Sequence, residues 1–129
     1  TCPDIVGTLK KIKALGCKAG VTLNPDTSAS ELTPALPHAD LVLVMTVHPG
    51  YSGQSFMPEV LPKIAEVRQM LDALGSAADL EVDGGISAAT LPKVLEAGAN
   101  AFVAANAIFM HPDGITDGIQ ALRKILTFQ

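Results

Sequence analysis

The chain has 129 residues, 48% hydrophobic and 17% charged, with a formal net charge of −4 and no Trp. That is enough apolar material for one compact core and too little length for two ordinary domains. With Lys and Arg scattered, one Tyr and four Phe, there is neither a basic stripe nor a stacking platform, and nucleic acid is excluded as an expected partner.

The first element is a helix. Ile5, Leu9, Ile12 and Leu15 fall four, three and three apart, an amphipathic stripe that Gly16 can end. Cys2 and Cys17 flank it without metal-ligand spacing, and both read as reduced thiols. Residues 18–23 (KAGVTL) predict a short strand closed by Asn24-Pro25, with Asn24 as a turn former. Ser28 and Glu31 form a capping-box pattern that predicts one brief helix over 28–36, kept short by Pro34 and Pro37.

Residues 41–47 (LVLVMTV) lack alternation, which predicts a strand buried on both faces. This is the longest apolar run, far too short to cross a bilayer. A cytosolic protein away from membranes is therefore expected. Ile64, Val67, Leu71 and Leu74 then mark a long helix ending at Gly75. Residues 79–82 read as a third strand, Asp83-Gly84-Gly85 as its exit turn, and Ser87 as the N-cap of a helix running to about Ala97. Residues 101–104 form the fourth strand, and Ile115, Ile119, Leu122 and Leu126 the closing helix.

One helix followed by four β/α units demands a parallel sheet with right-handed crossovers. Eight such units in ~250 residues make a (β/α)₈ barrel, so the expected fold is α/β, about half of a TIM (β/α)₈ barrel. An open doubly wound sheet is the other candidate, but it gathers ligand contacts at one switch point. Here Asn24, Thr46 with His48, Asp83 and Asn106 are spread over the carboxyl ends of all four strands.

Three segments at those ends carry chemistry. In 48–56 (HPGYSGQSF) two glycines let backbone N–H groups converge on an anion. In 81–86 (EVDGGI) a carboxylate sits at a strand exit beside two glycines. Residues 102–109 (FVAANAIF) supply small residues at the last exit, where such barrels bind phosphate. His38-Ala39-Asp40 has the spacing of a metal pair but lies before its strand, at the opposite end, and His111 reads as a surface residue before the last helix.

These segments resemble the ribulose-phosphate 3-epimerase family. Its pattern M-(S/T)-V-x-P-G-(F/Y)-x-G-Q-x-F is present at 45–56, E-V-D-G-G-I at 81–86, and F-V-A-G-(S/N)-A-I-F at 102–109 with Ala105 in place of the glycine. The likeness covers essentially the whole chain, aligned to the second half of the family's barrel.

The resemblance implies that Asp83 is a catalytic proton donor and also a ligand of a divalent metal such as zinc, iron, manganese or cobalt. It further implies that Gly50, Tyr51, Ser52, Gly53, Gly84, Gly85, Ala105 and Asn106 line the phosphate of a phosphorylated ketose, and that Met45 walls the pocket. Ala105 and His48 depart from the family pattern and bear on substrate affinity. Two-face proton transfer needs two carboxylates, and the family's other aspartate and further metal ligands belong to strands before Thr1. The chain alone is therefore expected to hold an incomplete metal site and to lack activity. A non-catalytic phosphate-binding half-barrel that forms homo-oligomers through its open strand edges, and an epimerase for a six-carbon ketose phosphate, are the alternative readings.

Overall fold

The computed structural model describes residues 2–50 and 52–127. Helix α1 (Ile5–Ala14) starts at Asp4, whose carboxylate accepts the Gly7 N–H at 2.9 Å, and ends with Lys11 and Lys13 near its negative pole. Leu9 buries against Ala19 and Ala35. Strand β1 (Gly20–Leu23) follows.

Where the capping pattern predicted one brief helix there are two separate 3₁₀ turns, Ala29–Leu32 and Leu36–His38. The Ser28 hydroxyl accepts from Ser30 N rather than Glu31 N, and the Glu31 N–H closes on Ser28 O at 3.1 Å. Pro34 and Pro37 have no N–H to extend a helical ladder between the turns.

The remaining elements are β2 (Leu41–Met45), a third 3₁₀ turn (Pro58–Val60), α2 (Leu61–Ala73), β3 (Asp79–Asp83), α3 (Leu91–Ala97), β4 (Ala101–Val103), a one-turn α4 (Asn106–Phe109) and α5 (Ile115–Thr127). The strands form one parallel sheet in the order β1-β2-β3-β4. A sequential parallel sheet whose strands are joined by helices, with the two 3₁₀ turns in place of a helix between β1 and β2, makes this a partial (β/α) barrel. In its register Met45 lies opposite Asp83, and Asp83 opposite Val103.

One sheet face is closed by helices. Val21, Leu23, Val42, Val44, Leu80 and Val82 point into a core shared with Ile64, Val67 and Leu71 of α2 and Leu91 and Val94 of α3. The alternate residues Leu41, Leu43, Glu81 and Asp83 are only half-buried, and Val103 is exposed. Strand β2 is therefore not buried on both faces as its sequence predicted. Its apolar run suits a closed barrel, whereas these four strands leave the inner face uncovered.

Asp40 ties the amino-terminal rim together. Its carboxylate accepts the Ala19 N–H at 2.8 Å and stands 3.5 Å from Lys13 Nζ, while its backbone bridges Ala19 O and Asp79 N. The Ala19 hydrogen bond first, then the Lys13 charge, holds its carboxyl below the ordinary value despite some opposing desolvation. Asp40 thus serves rim architecture, and both it and His38 lie before β2, at the end of the sheet away from the glycine loops.

Candidate active site

The three segments singled out in the sequence, two of them bearing glycines, converge at the carboxyl ends of β2, β3 and β4. They surround an open cavity of about 450 Å³, lined by Met45, Gly50, Ser52, Gly53, Asp83, Gly84, Gly85, Ala105 and Asn106 among others. Nine of the ten positions singled out in the sequence therefore share one wall. Tyr51 lies outside the described residues.

The convergence depends on close backbone approach. Gly84 and Gly85 have φ of +131° and +65°, and the space beside each is taken by a neighbouring segment. A Cβ on Gly85 would stand 2.5 Å from Phe56 N, and one on Gly84 2.6 Å from a Val47 methyl. Only glycine permits both the left-handed conformation and the contact. On the facing side Asn106 reaches over Gly53, its Nδ2 3.0 Å from where a Cβ would be. Backbone amides from separate loops can thus point into one cavity, the arrangement that binds a phosphoryl group without fixed cationic side chains.

Asp83 ends β3 on the inner face and contributes a half-buried carboxylate to this cavity. Among the described residues, no group of three or more His, Cys, Asp or Glu side chains is placed to hold a metal ion. A single carboxylate does not make a metal site, so the described residues do not by themselves fit one.

Other candidates fall outside the cavity. His48 pairs with Asp26 at 3.6 Å on the exposed rim, and its carbonyl accepts from the Gln54 side chain. Asn24 is a turn residue, its carbonyl receiving the Thr27 N–H and the Lys63 ammonium, which also reaches Pro25 O. His111 Nδ1 accepts the Asp113 N–H in the turn before α5. Cys2 and Cys17 are both free and exposed.

One element and one residue's role were missed in the sequence, although Thr46 itself was among the polar residues at the strand ends. Helix α4 is a single turn, too short for any periodic signal. Thr46 is fully buried, the sole buried polar side chain among the described residues, and its hydroxyl donates to Gly84 O at 2.6 Å. A hydroxyl interrupting the apolar run of a strand exit was the available clue.

Residues 1–109 match the ribulose-phosphate 3-epimerase family. The chain belongs to that family. It is 51% identical over 111 residues to the ribulose-phosphate 3-epimerase of Synechocystis sp., covering 86% of this chain and 48% of that one. To the Bacillus subtilis ribulose-phosphate 3-epimerase it is 48% identical over 113 residues, covering 87% and 52%. The chain spans about half the length of the curated relatives it matches. Its fold is similar to the crystal structure of 3-hexulose-6-phosphate synthase, with a TM-score of 0.66 at 23% identity over 94% of this chain and 55% of the other. Thiamine phosphate pyrophosphorylase from Pyrococcus furiosus gives 0.56 at 18% over 92% and 64%. At these identities the likeness concerns the barrel fold alone. No helix among the described residues is long and apolar enough to cross a membrane.

Proposed function

We propose that this chain supplies the phosphate-binding side and one acid-base carboxylate of a ribulose-phosphate 3-epimerase, interconverting D-ribulose 5-phosphate and D-xylulose 5-phosphate in the cytosol once the other barrel strands are present. The observation that carries the reading is the single cavity shared by Asp83 and the amide-bearing turns at Gly50 to Gly53, Gly84-Gly85 and Ala105-Asn106. The phosphate end of the ketose sits against the turns. Asp83 then faces the carbon skeleton from β3, with Met45 beside it on β2.

Epimerisation next to a carbonyl removes a proton from one face of the carbon and returns one to the other. Asp83 serves one face, and the second group comes from outside these four strands. A divalent metal of the kind the family resemblance implies would take Asp83 as one ligand and its remaining ligands from that same outside region. The chain alone is therefore inactive.

The test is turnover of D-ribulose 5-phosphate with manganese, iron, zinc or cobalt present, by this chain alone and mixed with the complementary half of the Synechocystis relative. No product from the chain alone, and product from the mixture that Asp83→Asn abolishes, is the expected result. Rapid xylulose 5-phosphate formation by the chain alone would refute the shared-carboxylate reading. So would a folded, associated mixture that never turns over.

A second reading is favoured by the edges. Among the described residues, strands β1 and β4 each have one side without a strand partner, and the inner sheet face exposes Val103. Such edges and faces drive association, so the isolated chain forms homo-oligomers through them. A monodisperse monomer by light scattering would contradict this.

A further inference from the structure

We infer that Thr46 is a positioning residue for the phosphate site, acting through the peptide plane between Gly84 and Gly85. The inference rests on the phosphate-binding reading above and adds to it a residue that touches no ligand. Thr46 follows β2 and is 0% exposed. It joins three segments: its N–H donates to Asp83 O at 3.0 Å, its carbonyl accepts the Met57 N–H at 2.9 Å, and its hydroxyl donates to Gly84 O at 2.6 Å.

The hydroxyl is the decisive group. Strand pairing between β2 and β3 ends at Met45 and Asp83, so no ladder N–H remains for Gly84 O. Gly84 is buried, and a buried carbonyl without a donor is unfavourable. Because the peptide unit is planar and trans, its C=O and the following N–H point in opposite directions. Drawing Gly84 O inward to Thr46 therefore turns the Gly85 N–H outward. Gly85 is exposed and lines the cavity, and among the described residues no acceptor takes its N–H. A buried hydroxyl one strand away thus aims an amide at the place where an anion would bind.

The glycines make this control necessary. Residues at φ of +131° and +65° have no side chains to lock the turn, so the orientation of the plane depends on what holds its carbonyl. Valine at position 46 keeps the shape and both backbone bonds but removes the donor. Serine keeps the donor.

The test is titration of the chain with inorganic phosphate, followed by the amide resonances of Gly85 and its neighbours. Thr46→Val is expected to weaken phosphate binding about tenfold, the worth of one well-placed hydrogen bond, and to shift the Gly85 amide resonance before phosphate is added. Thr46→Ser is expected to stay within about twofold of the wild-type chain, on the same ground that its hydroxyl bond is retained. Val67→Ala, a core change in α2 remote from the cavity, lowers thermal stability but leaves the phosphate Kd unchanged. If Thr46→Val does not fold, Thr46→Cys replaces it, and its weak thiol donor is expected to give a loss of about threefold.

Failure of the wild-type chain to bind phosphate would bring down the phosphate reading, and this inference with it. Wild-type binding with undiminished affinity in the folded hydroxyl-free variant would overturn the role of Thr46 alone. An equal loss in Val67→Ala would reduce Thr46 to general stability and also overturn it.

Discussion

Replacing Gly85 with alanine tests whether the glycine turn is fixed by contact as well as by conformation. At φ +65° an alanine adopts the left-handed region, which costs about 1–2 kcal/mol. Its Cβ would also lie 2.5 Å from Phe56 N and 2.8 Å from Phe56 Cα, so backbone rather than a flexible side chain must move. Displacement of a packed segment adds roughly 1–3 kcal/mol. The sum of about 3 kcal/mol corresponds to a fall in Tm of roughly 10 °C for a chain of this size.

Gly16→Ala is the matched control. Gly16 has φ +83° with nothing within 4 Å of its would-be Cβ, so it carries the conformational cost without the clash. It should lose about 1 kcal/mol, or roughly 4 °C. Thermal and denaturant unfolding give the stabilities, and phosphate titration gives the functional effect. Gly85→Ala should also weaken phosphate binding, because the 48–56 segment is pushed away, whereas Gly16→Ala should not. Equal Tm values for the two variants, with phosphate affinity intact in both, would refute the close-approach argument.

Further outcomes follow from the fold. The lowered carboxyl pKa of Asp40 means that its contribution to stability is present above the unfolded carboxyl pKa and is lost as pH falls through the folded one. Asp40→Asn should therefore be less stable than the wild-type chain near neutrality, with the gap closing in acid below the ordinary carboxyl value; a gap that widens in acid would contradict the assignment. Arg68 Nε donates to Gly98 O at 2.9 Å, so Arg68→Ala should lose about 1–2 kcal/mol in denaturant unfolding. Its pair with exposed Asp72 adds little, and Asp72→Asn should change stability by less than about 0.5 kcal/mol. Ile64 is fully buried between α2 and the sheet, and Ile64→Ala should lose about 3 kcal/mol by chemical denaturation.

Much of this architecture was legible because its punctuation is local. Gly16, Gly75 and Gly98 end their helices with positive φ, a constraint that acts within one residue. The carboxylate-glycine-glycine exit at 83–85 was legible for the same reason. What the sequence obscured depended on partners far along the chain or absent from it. The 28–36 segment reads as one helix until Pro34 and Pro37 are set against the actual bonds of Ser28. Leu41 and Leu43 read as buried because they suit a closed barrel, and these strands leave them half-covered. Ser87 reads as the N-cap of α3, and it does make cap-like bonds, its hydroxyl to the Ala89 N–H and its carbonyl to the Leu91 N–H, but these close a turn held by Thr90 Oγ1, and the regular helix begins only at Leu91. Thr46 was legible as a polar residue at a strand end, but not as a buried one, because its acceptor Gly84 lies 38 residues away.

Resonance-resolved titration of this chain with D-ribulose 5-phosphate probes the shared cavity most directly. Saturable shifts confined to Gly53, Asp83, Gly84, Gly85 and Asn106, with the Ala19 and Asp40 amides at the other rim unmoved, are the expected outcome. Saturable shifts at the Asp40 rim, or none at Asp83 and the glycine turns at any ligand concentration, would contradict a common site for carboxylate and phosphate.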